Sequence, residues 1–439
     1  VETPAGRARW ALRARVGRAL AAGGLVLACA GGLLALGPRA AAPGGPVRAA
    51  PPVSGAADRV EEARAAVERQ PQDPSAWARL ALARLDRARL TLDAADLAAA
   101  EQALHRSLGL RPERNYDAVA GLGQLANARH EFGAAGEYGR QATAMAPDRP
   151  AGYAVLADAE IQLGDYPAAT AAAQRLLDLA PTVAGYTRAA YDLETHGRAE
   201  EARLALERAL ESASTPADRA FCAHRLGDLA WESGRTDDAE QHYRRALAAA
   251  PGDQSAEAGL ARVLAAQGRT AQAAQRYRSL TDRAPTPQFL LEYAELLLAD
   301  GQPAQQPLTA LAAEARLLAA SGGPVDPQLG LYLADHGDPA AAVALLRGER
   351  AARHSVLVAD ALGWALHRAG RDEEAIGHLR EAARTGWHST AFDYHLGAVE
   401  HALGLPEAAG HLRQALTRNP RFSPYHAPRA AALLDEGNE

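Results

Sequence analysis

Histidine offers the most chemistry in this sequence. Fourteen are present, and eight of them fall late in the chain: His354, His367, His378, His388, His395, His401, His411 and His426. A metal centre needs two or three such side chains to converge, and none of these eight stands four residues from another on one helical face. The segment "HEFGA" from His130 lacks the second His of a zinc-protease helix, and no Gly-x-Ser-x-Gly or Gly-rich phosphate loop after a strand occurs. The chain has no Lys, which removes Schiff-base chemistry and the Lys of a phosphate-binding loop. Two cysteines, Cys29 and Cys222, are too few for a disulfide framework or a thiolate metal site. No catalytic, cofactor-binding or metal residue is therefore assigned. The alternative left open is a metal-binding or enzymatic accessory protein that uses the His-rich C-terminal third.

Composition points to helices packed closely. Hydrophobic residues make up 48% of the 439 positions but aromatics only 5%, so much of the apolar count is Ala, a strong helix former and a weak core filler. Every one of the 47 basic residues is Arg, as a GC-rich coding bias would give. Those Arg residues are interleaved with Asp and Glu, and the net charge is -6. No concentrated positive face results, so nucleic acid is not expected as a partner.

Residues 1–18 carry five Arg and one acid, and "ALAAGGLVLACAGGLLALG" then runs uncharged from Ala19 to Gly37. Nineteen uncharged residues lie near the lower limit for spanning hydrocarbon, and the basic flank would stay cytoplasmic. The reading is a single-pass anchor at the cell membrane with the rest of the chain extracytoplasmic. Cleavage after "PRAAAPGG" would instead give a secreted protein. A lipid-modified Cys29 and a buried soluble helix are the remaining alternatives. Residues 38–57 are mostly Pro, Ala and Gly without a helical apolar period and read as an extended spacer.

Positions 58–439 are organised by a recurrence. Pro147 and Pro181 stand 34 residues apart, as do Pro251 and Pro285, and each closes a segment. The segments share a Leu before a small residue: Leu122-Gly123, Leu156-Ala157, Leu226-Gly227, Leu362-Gly363 and Leu396-Gly397. They also share a turn Gly, read at Gly133, Gly164, Gly234, Gly370 and Gly404, and the four regular segments add Ala five positions later. Small residues let two antiparallel helices approach, Gly permits the left-handed residue that ends the first, and Pro stops the second. Each hairpin leaves an apolar face that only the next can cover.

This pattern resembles the tetratricopeptide repeat. In Ala220 to Pro251 the matching residues are Leu226, Gly227, Ala239, Tyr243, Ala246 and Pro251; in Gln254 to Pro285 they are Leu260, Ala261, Ala273, Tyr277 and Pro285. The resemblance implies an all-α, right-handed superhelical solenoid of about ten helix-turn-helix repeats starting near Trp77, preceded by the N-terminal anchor or signal helix. Units at 287–354 are degenerate, a lone helix at 59–69 leads the array, and a capping helix near 427–435 ends it.

The resemblance further implies that the first helices of successive units line a concave groove. It places Tyr191, His224, Asp228, Trp231, Arg262, Trp364, His367, Tyr394 and His401 toward a protein or peptide partner of unknown identity. Trp231 and Trp364 are read either as exposed anchors, whose loss would spare stability, or as fillers between hairpins. The fifth positions Ala120, Ala154, Thr187, His224 and Ala258 depart from the Lys, Asn and Arg clamp of co-chaperone members, so chaperone-tail recognition is not expected. The function so read is a non-catalytic interaction scaffold, with the membrane contacted through residues 19–37.

Overall fold

The computed structural model describes residues 52–436 apart from residues 92 and 322. The anchor or signal segment at 19–37, its basic flank and Cys29 lie outside the described residues. No helix among those described is long and apolar enough to cross a membrane.

All regular structure among the described residues is helical. A leading helix, α1 (Pro52–Arg69), precedes ten hairpins. The first three pair α2 (Pro74–Thr91) with α3 (Ala94–Leu110), α4 (Tyr116–Ala128) with α5 (Phe132–Met145), and α6 (Pro150–Leu163) with α7 (Tyr166–Leu179). The next three pair α8 (Val183–Thr195) with α9 (Ala199–Ser212), α10 (Pro216–Glu232) with α11 (Thr236–Ala249), and α12 (Gln254–Ala266) with α13 (Thr270–Arg283). Then α14 (Pro287–Ala299) pairs with α15 (Gln305–Ser321), and α16 (Pro327–His336) with α17 (Pro339–Ala352). The last two pair α18 (Val356–Arg368) with α19 (Asp372–Ala383), and α20 (Thr390–Ala402) with α21 (Ala408–Arg418); α22 (Ala427–Glu436) closes the array.

Local chemistry sets these boundaries. Side-chain oxygens of Thr215, Asp253, Thr286, Ser355 and Ser389 each accept from the backbone N–H three residues on, in α10, α12, α14, α18 and α20, which satisfies donors that a helix start leaves open. Within each hairpin the helices meet at small residues. A Cβ on Gly227 would lie 2.6 Å from the ring of Tyr243, which is why the position after Leu226 must be bare. First helices neighbour first helices along the stack, α14 to α16 to α18 to α20 to α22.

Two expectations need correction. Residues 52–57, read as extended spacer, are the first part of α1, where Ala56 and Val60 are buried; the following hairpin supplies the apolar partner that the local sequence lacks. Gly133 is not the turn residue of its unit. His130 holds the left-handed position there (φ 60), and Gly133 lies inside α5.

The array also winds back on itself. The N–H of His354, between α17 and α18, donates to the carbonyl of Leu163 at 2.8 Å, and the N–H of Val356 donates to the Tyr166 hydroxyl across 190 residues. The bends at Gly164, Gly197 and Gly234 sit against the main-chain oxygens of His354, Gly386 and Arg418. One superhelical turn therefore rests on the next.

Candidate functional site

The first helices of the hairpins carry a chain of alternating charges. Arg188 on α8 grips Asp158 on α6 through two bonds of 2.8 and 2.6 Å. Further along, Glu194 accepts from Arg225 at 2.7 Å, and Arg225 reaches Asp228 at 3.2 Å. Arg262 then stands 3.5 Å from Asp228 and 3.7 Å from Glu292. Tyr243 and Tyr277, from the second helices, donate their hydroxyls to Asp228 and Glu292 at 2.8 Å each. Burial pushes the Asp158 carboxyl up to about 6, with Arg188 opposing the rise. Burial likewise raises Glu194 against the pull of Arg225. Asp228, Arg262 and Glu292 keep 22–23% of their side-chain surface, so this stretch of the face is reachable from solvent.

The nine residues assigned to the groove are brought to two places. Tyr191, His224, Asp228, Trp231 and Arg262 lie along α8, α10 and α12; Trp364, His367, Tyr394 and His401 lie on α18 and α20. Asp228, Arg262, His367 and His401 are half-buried. His367 bonds Asp372 at 2.6 Å, and His401 approaches Glu436 of α22 at 3.5 Å. His224 is buried 3.4 Å from Asp253, the cap of α12.

Trp231 and Trp364 are not exposed anchors. They are 4% and 3% exposed and belong to the cores of their regions. The carbonyl of Trp231 accepts from Asn419 at 2.8 Å, and Tyr191 meets the edge of Trp387 at 5.9 Å. Contact between superhelical turns thus reaches Tyr191 and the main chain of Trp231, and a repeat pattern of 34 residues gives no sign of it.

Around Trp364 the C-terminal units build an aromatic and imidazole cluster. His395 stacks on Trp364 with ring centres 4.3 Å apart, Tyr394 lies at 5.4 Å and His426 at 6.2 Å. The indole N–H donates to Asp335 Oδ2 at 3.0 Å. His395 Nδ1 lies 2.9 Å from Asp360, and His426 Nε2 lies 3.2 Å from Glu295. Burial alone would raise Glu295, yet the adjacent His426 and His336 hold it at about 2. Burial lowers His426, and Glu295 and Asp335 outweigh it, so the net shift is upward. Glu295, Asp335 and His336 had no signal in the sequence, because Glu295 on α14 and the Asp335–His336 pair on α16 hold no common repeat position.

Models of the tetratricopeptide repeat match residues 230–291 and, separately, 187–254 and 328–390. Over 210 residues the chain is 31% identical to cellulose synthase 1 operon protein C of Komagataeibacter xylinus; this covers 47% of the chain and 13% of that relative, so the chain spans a small part of the relative's length. Among solved structures, a thermophilic TPR protein of Thermus thermophilus aligns at 22% identity with a TM-score of 0.37, covering 41% of this chain and 97% of that one. The human IFIT1 dimer with PPP-AAAA aligns at 16% identity with a TM-score of 0.47, covering 71% of this chain and 73% of that one.

Proposed function

Given that the chain is a tetratricopeptide repeat protein, we propose that it is a non-catalytic scaffold that holds a protein partner against the inner face of its solenoid. The observation that carries this reading is the accessible charged stretch Asp228–Arg262–Glu292. Arg262 stands 3.5 and 3.7 Å from Asp228 and Glu292, longer than direct hydrogen bonds, so a partner's carboxylate can engage its guanidinium without first breaking a tight pair. A polar peptide segment carrying both signs of charge fits this stretch. Affinity then comes from many modest contacts along several units.

The uncharged run at 19–37 behind an Arg-rich flank supports a membrane-tethered, extracytoplasmic placement. Cleavage of that run would release the same scaffold. The name of the Komagataeibacter xylinus relative, cellulose synthase 1 operon protein C, suggests a partner that works beside a cellulose synthase. The test is capture from solubilised membranes with the immobilised solenoid and its Arg262→Gln variant. Amino-terminal sequencing of the mature protein separates anchor from cleaved signal.

A further inference from the structure

We propose that Glu295, Asp335 and His426 form a binding site for a divalent transition metal, with zinc the best chemical match and His336 as a fourth donor. One ligand atom from each of the first three residues lies within 4.8 Å of the others. His426 Nε2 stands 3.2 Å from Glu295 Oε1 and 3.7 Å from Asp335 Oδ2. Zinc bonds of about 2.0–2.1 Å in a tetrahedron put neighbouring donors roughly 3.3 Å apart, and the two His426 distances lie within a few tenths of an ångström of that edge.

A second observation points into the same space. The His336 side chain is 5% exposed, and its Nε2 stands 3.5 Å from Glu295 Oε1, too long for a well-formed hydrogen bond. A buried imidazole nitrogen without one is costly, and a metal ion would satisfy it.

The donor set selects the metal. Two imidazoles with two carboxylates suit zinc and its neighbours, whereas calcium and magnesium favour all-oxygen shells of six or more. Two carboxylates balance the charge of a divalent ion. The outer partners are also in place: the Trp364 indole N–H holds Asp335 Oδ2 at 3.0 Å, and Arg368 Nε holds Asp335 Oδ1 at 3.0 Å. Zinc on Nε2 would require that nitrogen to be free of its proton, which would pass to solvent or to Nδ1. The site joins α14, the end of α16 and the turn leading into α22, so the metal would fasten the last helix to units more than 90 residues away.

The experiment uses the untagged chain, dialysed against chelator and titrated with zinc by calorimetry. One zinc per chain is expected, with affinity reduced about tenfold or more in His426→Ala and in Glu295→Gln. His105→Ala, a residue 62% exposed elsewhere in the array, should bind as the parent does. A measurement that needs no variant is protection of His426 from diethyl pyrocarbonate, read by mass spectrometry: zinc should reduce its modification at least fivefold. Absence of near-stoichiometric zinc in the parent chain overturns the proposal. So does zinc binding unchanged in folded His426→Ala and Glu295→Gln, or equal modification of His426 with and without zinc.

Discussion

The side-chain amide of Asn419 donates to the main-chain carbonyl of Trp231 at 2.8 Å, across 188 residues of sequence. Beside it, the bend at Gly234 (φ 69) lies against the carbonyl of Arg418. A hairpin in the middle of the array thus supports the end of the last hairpin. Ordinary repeat stacks pass stability only between neighbours, whereas this one also couples across a full superhelical turn.

That coupling can be isolated with two glycines. Gly234 and Gly268 share the left-handed conformation (φ 69 and 75), but a Cβ at Gly268 meets nothing within 4 Å. Both Ala variants carry the backbone penalty, about 1 kcal/mol. Gly234→Ala should cost a further 1–3 kcal/mol or so for the collision with Arg418. Urea unfolding of the pair measures the difference, and equal losses would remove the turn-to-turn contact from the account.

Glu232 gives the same junction a pH dependence. Burial raises its carboxyl from 4.5 to about 7; the N–H of Thr390, 3.3 Å away, pulls the other way, and nearby Glu194 adds to the rise. A carboxyl raised on folding contributes stability that is complete below its unfolded value and is lost as pH climbs through the folded one. The loss is up to about 3 kcal/mol between pH 4.5 and 8. Glu232→Gln should flatten this part of the curve, so the stability of variant minus parent should grow from pH 5 to 8. A constant difference would contradict the assignment.

Tyr243 is fully buried between Gly227 and Gly259, with its hydroxyl on Asp228. Tyr243→Ala should cost about 3–5 kcal/mol by emptying the hairpin contact. Tyr243→Phe should cost about 1–2 kcal/mol, since only the bond to Asp228 is lost. Thermal melts rank the two, and a Phe variant as damaged as the Ala variant would place the energy in the hydroxyl instead.

Trp364 is a structural residue of the C-terminal units. Trp364→Ala should cost about 3–5 kcal/mol, because the ring is buried and its removal also takes the donor from Asp335. A folded variant of near-parental stability would restore the reading of Trp364 as an exposed anchor.

Much of the hairpin architecture could be read from Leu226-Gly227, Tyr243 and Pro251, since each residue acts within one unit or on the next. The start of α1 at Pro52 could not, because the Pro, Ala and Gly of that stretch carry no helical apolar period. The Tyr191–Trp387 ring contact and the bond from Asn419 to the Trp231 carbonyl reach across one superhelical turn, and no local pattern encodes that closure. The charged pairs Asp228 with Arg262 and Glu295 with His426 show the same contrast. The first joins adjacent units at repeat positions, and its residues stood out in sequence; the second joins residues without a shared register.

The central claim is that the inner charged face holds a protein partner, and the direct measurement is quantitative capture from solubilised membranes by the parent solenoid and by Arg262→Gln. The substitution keeps part of the side-chain stem and removes the charge between Asp228 and Glu292. The account predicts a partner enriched by the parent and reduced about tenfold or more by the variant, with both proteins equally helical at the temperature of capture. Equal recovery of the same partner on both columns would contradict it.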